Sequence, residues 1–127
     1  MSDASRPLSP HLQVYRTGVN MVMSMAHRLT GAALYFGAAL LALWLASAAF
    51  WPGGFSLLQA LFASWLGKLV LIGFTWSLIH HLLGGLRHFI WDLGYGFDLK
   101  TVSVLSWGTL VGSILLTAAV WALALWT

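Results

Sequence analysis

Polar positions along this chain are few, and they are bunched. Residues 1–19 form an arm that mixes polar, basic and turn-forming residues; Pro7 and Pro10 lack amide donors and restrict the residues before them, which predicts an extended arm rather than a helix. Beyond it the pattern changes to long apolar runs. The first covers about 21–50, and no charge falls between Arg28 and Lys68. A helix crossing a bilayer needs about 20 apolar residues, so this run is a span. Trp51-Pro52-Gly53-Gly54 interrupts it, with Trp51 placed as an interfacial aromatic. A second span is predicted over 57–92, with Lys68 near its start, where it can snorkel outward. A short connection with two glycines, Leu93 to Lys100, leads into a third span over 102–126. The pattern predicts an all-α membrane protein with three transmembrane helices in one domain, 20–127.

Composition supports lipid as the solvent. Of the 127 residues, 60% are hydrophobic and 7% charged, with a mean hydropathy of +0.86, against about 25% charged in a soluble domain. The net charge of +3 reflects a shortage of acids, three Asp and no Glu, rather than a basic patch, which argues against nucleic-acid binding. With no Cys, disulfides, thiolate metal sites and cysteine-ligated iron–sulfur clusters are excluded from this chain. The first residues match neither a signal peptide nor a transit peptide. The expected location is therefore a bacterial inner membrane, with a mature mitochondrial chain as the alternative. Three spans place the arm and the second connection on one side, with Arg6, Arg16, Arg28, Arg87 and Lys100; only Lys68 lies on the other. The positive-inside rule then puts the N-terminus in the cytoplasm, or matrix.

The chemistry gathers in His80 to Asp92. That stretch holds three of the five histidines, one of the six basic residues and one of the three acids, inside an apolar run. Ionisable groups in a membrane normally mark function. Ser24, His27 and Arg28 stand at i, i+3 and i+4, on one helical face at the same end of the bundle. His81 lies six residues before Arg87, about 9 Å deeper along a helix. A buried neutral imidazole needs a partner for both nitrogens. With neither Cys nor Glu, haem iron with an axial His is the best-matched metal chemistry, and Gly84 and Gly85 are expected to let a flat macrocycle lie close. His80 and His81 point about 100° apart, so at most one faces a given cofactor. His81 and His88 stand about 10 Å apart along the axis and cannot grip one iron, and His27 lies shallower, so a second ligand is expected from a separate subunit. Arg28 and Arg87 fit interface anchors, or partners for propionates or a quinone carbonyl. His88 and Asp92, at i and i+4, read as a helix-end pair that docks a soluble partner. In the third span, Gly108 with Gly112 and the stripe Thr109, Ser113, Thr117 are expected to serve packing. Residue chemistry alone leaves two other readings open: a proton-path or transport subunit without haem, and a packing anchor with incidental histidines.

Three motifs in order narrow this. Arg6-Pro7-Leu8-Ser9-Pro10-His11-Leu12-Gln13-Val14-Tyr15, then Ser24-x-x-His27-Arg28-x-Thr30-Gly31, then His81-x-x-x-Gly85-x-Arg87-His88-x-x-Trp91-Asp92-x-Gly94 resemble the large cytochrome b subunit of succinate dehydrogenase (succinate–quinone oxidoreductase). The resemblance implies one half of a heterodimeric helical membrane anchor. It would share a b-type haem with a second small transmembrane subunit and carry an iron–sulfur subunit and a flavoprotein subunit. Electrons from succinate would reach ubiquinone, so the chain is not catalytic alone. By position, the resemblance makes His81 the axial haem ligand, His27 and Arg28 propionate contacts, and Ser24 and Arg28 quinone-pocket residues. Pro7 and His11 in the arm would meet the iron–sulfur subunit. The chain departs from its relatives at His80, where an aromatic residue is usual; the spacing to Gly85, Arg87 and His88 selects His81.

Overall fold

The computed structural model describes residues 14 and 16–126, so the arm residues Pro7 and His11 lie outside what it describes. Among the described residues four helices follow one another: α1 (Val19–Phe50), α2 (Pro52–Ala63), α3 (Trp65–Asp92) and α4 (Leu99–Trp126). Three of them, α1, α3 and α4, are long and apolar enough to cross a membrane.

Local chemistry sets the ends. Pro52 occupies the first position of α2, where its missing amide costs nothing and its fixed φ suits a helix start. The Trp51 ring lies against Gly54, in space that a side chain at 54 would fill. The stretch read as one span over 57–92 holds two helices. Ser64 adopts an extended conformation, and its hydroxyl accepts from the Gly67 amide at 3.1 Å, capping α3. The Leu61 carbonyl runs so close to Gly67 that only a residue without a side chain fits there. At 12 residues, about 18 Å, α2 is too short to cross a bilayer. At the other end of α3, Gly94 takes a φ of +84°, and its amide bonds back to the Trp91 carbonyl at 2.8 Å. Asp98 then caps α4 by accepting from the Thr101 amide at 2.9 Å, so α4 starts at Leu99 rather than 102.

α3 is the centre of the bundle. It runs antiparallel to α1, Phe74 meeting Gly37 and His81 meeting Gly31. It also runs antiparallel to α4: Trp76 and His80 meet Ser113, and Arg87 meets Ser106. Among the described residues the only buried large apolar side chain is Met23; the rest of the interior is Thr30, Ser47, Ser77, His80, Arg87, Ser106, Thr109, Ser113 and Thr117 with small residues. Leucines, valines and phenylalanines face outward. That inversion has a physical cause. Lipid tails are as apolar as leucine, so helices in a bilayer associate through close backbone approach and hydrogen bonds rather than through burial of aliphatic groups.

Candidate functional site

Two polar seams run along α3, one on each side, at the end of the bundle shared by the start of α1 and the start of α4. The seam against α1 is built on His27, Thr30 and Gly31 facing His81, Gly84 and His88. The rings of His27 and His81 stack in parallel, with centroids 3.9 Å apart and planes within 3°. The seat for His27 is Gly84: a Cβ there would collide with the imidazole. Gly31 does the same for His81, whose Cε1 would stand 2.9 Å from a side-chain carbon. Gly84 therefore holds a protein ring where a macrocycle was expected. Gly85 has nothing within 4 Å of its would-be Cβ and stays open.

The hydrogen bonds of His81 fix which ring nitrogen donates. Nδ1 lies 3.0 Å from the His27 carbonyl, which can only accept. The one proton of the Thr30 hydroxyl, 3.4 Å from the same nitrogen, is directed at the carbonyls of Ala26 and His27, which leaves its oxygen to accept from Nδ1. Nδ1 therefore carries a proton, and in the neutral ring Nε2 has the lone pair. A ring held by one N–H against a carbonyl, with the other nitrogen free, is the usual form of a metal-ligating histidine. Among the described residues no group of three or more His, Asp or Glu could cage a metal ion. The donor set fits a cofactor metal that needs one imidazole from this chain. In the stacked arrangement His27 cannot be the opposing ligand, since parallel rings present their nitrogens side by side.

His80 sits on the other seam. It is 1% exposed, against half-burial for His81. The Ser113 hydroxyl donates to the Leu110 carbonyl at 2.8 Å and accepts from Trp76 Nε1 at 3.1 Å and from His80 Nδ1 at 3.2 Å. The ring is enclosed between α3 and α4, and its Nε2 is buried without a partner among the described residues. Further along, Arg87, 4% exposed, donates from Nη1 to Ser106 Oγ at 3.0 Å, and Ser106 donates to Asn20 Oδ1 at 2.7 Å. The guanidinium also lies 5.1 Å from the centroid of Trp91.

Of the residues singled out in the sequence, His27, His81 and His88 come together, with the His88 ring 5.1 Å from His27 and 5.2 Å from Trp91. Ser24 is half-buried, and Arg28 and Asp92 are exposed at the same end. Arg87, grouped with Arg28 as an anchor, is buried instead. The hydroxyl stripe of α4 does more than pack, since Ser113 holds His80 and Trp76. Gly112 meets Leu83 of α3 at 3.5 Å, whereas nothing lies near Gly108. Sequence reasoning passed over Asn20 and Ser106. The one available signal was the stripe itself, because Ser106 stands three residues before Thr109, in register with it.

Comparison with known proteins gives a consistent result. A family model described as succinate dehydrogenase/fumarate reductase transmembrane subunit matches residues 2–120. The chain is similar to the succinate dehydrogenase cytochrome b556 subunit of Paracoccus denitrificans, 43% identical over 112 residues, covering 88% of this chain and 86% of the relative. The subunit of the same name from Rickettsia prowazekii is 38% identical over 116 residues, covering 91% and 90%. The mitochondrial succinate dehydrogenase cytochrome b560 subunit of Sus scrofa is 39% identical over 105 residues, covering 79% of this chain and 60% of that protein.

Proposed function

The chain belongs to the succinate dehydrogenase/fumarate reductase transmembrane subunit family, and we propose that it is the cytochrome b anchor of a succinate–quinone oxidoreductase. In this reading it shares a b-type haem with a second small transmembrane subunit and forms part of the site where ubiquinone is reduced. It carries an iron–sulfur and a flavoprotein subunit on the cytoplasmic face of a bacterial inner membrane, with its N-terminus on that face.

The observation that carries the reading is the state of His81. The ring is half-buried in an apolar bundle, its Nδ1 proton is tied to the His27 carbonyl, and its Nε2 keeps a lone pair. That is the donor haem iron takes. The haem, when bound, supplies a one-electron redox centre. His27 and Arg28 then hold its propionates, Arg28 through the paired donors of its guanidinium. Ser24 and Arg28, four residues apart on one face of α1, serve the quinone. Their hydroxyl and guanidinium donors stabilise negative charge that develops on a quinone oxygen as it is reduced. Exposed at the same end, His88 and Asp92, together with Pro7 and His11 of the arm, contact the soluble subunits. The chain does not oxidise succinate itself.

The test is spectroscopic. In the purified complex, His81→Ala should abolish the reduced-minus-oxidised b-type bands or shift them to a different ligation state. His80→Ala should leave them in place. Unaltered bands in the first variant, or their loss only in the second, refute the ligand assignment.

A further inference from the structure

Among the described residues, no side chain caps the first turn of α1. Gly18, at its N-cap, offers no side chain to its orphan amides, and no acidic residue stands in the first turn. A helix start in that condition frays. Yet Ser24, His27 and Arg28 lie within its first ten residues. One tie to it comes from the far end of the sequence. Asn20, on the first turn, accepts from Ser106 of α4 at 2.7 Å across 86 residues of sequence, and Ser106 accepts from Arg87 of α3 at 3.0 Å. Ser106 is fully buried and Arg87 is 4% exposed, so water does not compete for the bond between them, and the bond to half-buried Asn20 is sheltered at its Ser106 end. Asn20 stands one turn before Ser24, on the same helical face.

We infer that Asn20, Ser106 and Arg87 are positioning residues for the quinone site: the bracket holds the start of α1 helical and fixes its rotation and depth, so that Ser24 and Arg28 present their donors together. This rests on the assignment of Ser24 and Arg28 to quinone proposed above. None of the three touches substrate in this scheme. Arg87 supplies a donor that does not lose its proton, Ser106 passes the connection on, and Asn20 delivers it to α1. The hydroxyl is the part that cannot be replaced by an apolar group, since it is at once the acceptor for one helix and the donor to another.

The experiment uses the assembled complex with a soluble short-chain ubiquinone. Ser106→Ala should lower kcat/KM for quinone about tenfold, the equivalent of the one buried hydrogen bond that reaches α1. It should leave succinate oxidation with an artificial acceptor and the haem bands unchanged. Hydrogen exchange should accelerate in the peptide covering 19–28, and Ser106→Thr should restore both readouts. If Ser106→Ala does not assemble, Asn20→Ala decides, because it leaves Arg87 and Ser106 bonded and cuts only the link to α1. An unchanged kcat/KM for quinone in an assembled variant overturns the inference, whether or not exchange accelerates. Failure of the underlying functional reading shows separately, as a wild-type complex without b-type bands.

Discussion

Ser113→Ala is the sharpest test of the idea that hydroxyls, rather than aliphatic packing, hold this bundle. The substitution removes a single oxygen from a site that is fully buried. It leaves two donors without an acceptor, Trp76 Nε1 at 3.1 Å and His80 Nδ1 at 3.2 Å. In a water-soluble core each orphaned group costs about 1–3 kcal/mol. Inter-helix hydrogen bonds in membranes average only about 0.6 kcal/mol, with a maximum near 1.7, because unfolded segments in lipid also find partners. Two bonds on the membrane scale sum to about 1–3 kcal/mol, less about 0.5 kcal/mol for the better helix propensity of alanine. The dry surroundings, with His80 only 1% exposed, leave no substitute acceptor and place the expected loss toward the upper end, about 2 kcal/mol. The natural control is Ser47→Ala. Ser47 is also buried, yet its hydroxyl bonds only the Trp44 carbonyl of its own helix at 2.7 Å, so it should cost less than about 0.5 kcal/mol. Reversible SDS titration in mixed micelles, read by far-UV circular dichroism, compares the two. A Trp76→Phe background should absorb part of the Ser113→Ala loss, as expected for groups that share one bond. If the two serine variants lie within about 0.5 kcal/mol of each other, the seam is held by packing alone and the argument fails.

Two further outcomes follow from the geometry. Gly84→Ala should destabilise the bundle by about 1–3 kcal/mol through overpacking, despite gaining about 1 kcal/mol of helix propensity, because the new methyl enters the space of the His27 ring. Adding His27→Ala should recover stability, so a double variant no better than Gly84→Ala alone, measured by the same SDS titration, would show that the ring does not occupy that seat. At the start of α4, hydrogen bonds from Thr101 hold the Asp98 carboxyl below its ordinary value of 3.8. A depressed carboxylate stabilises the fold above its unfolded pKa and loses that contribution as pH falls through the folded one, so this cap persists through neutral and mildly acidic pH and fails only in strong acid. A carbon-13 titration of Asp98 should show a midpoint below 3.8 that moves back up in Thr101→Val, the side-chain hydrogen bond to Thr101 being the largest cause of the shift.

Much of the site was legible before any coordinates. The spacing Ser24, His27, Arg28 puts three polar groups on one helical face, and the run from His80 to Asp92 stands out against lipid-facing residues on either side. The step of about 100° between neighbours in a helix already required His80 and His81 to face different elements. The sequence did not reveal which elements. α3 is apolar or small nearly all round, so no amphipathic stripe marks the side that turns toward α1. Nor did Ser64 stand out within its apolar run, because a capping serine and a lipid-facing serine look alike until the backbone turns extended.

Composition and period alone determined that this chain is helical, that it belongs in a bilayer, and that its ionisable groups crowd one end. Those outcomes follow from what each segment can tolerate in lipid, and each segment settles them by itself. Tertiary structure decided the rest. It seated the His27 ring on Gly84 and left His81 half-open with a free Nε2 while enclosing His80 against Ser113. It also joined Asn20 to Arg87 through Ser106, across three helices. In a membrane the solvent is as apolar as an aliphatic side chain, so hydrophobicity cannot tell a helix which way to face. The rotation is set where glycines let side chains approach closely and where a buried donor finds an acceptor, and those meetings exist only between helices.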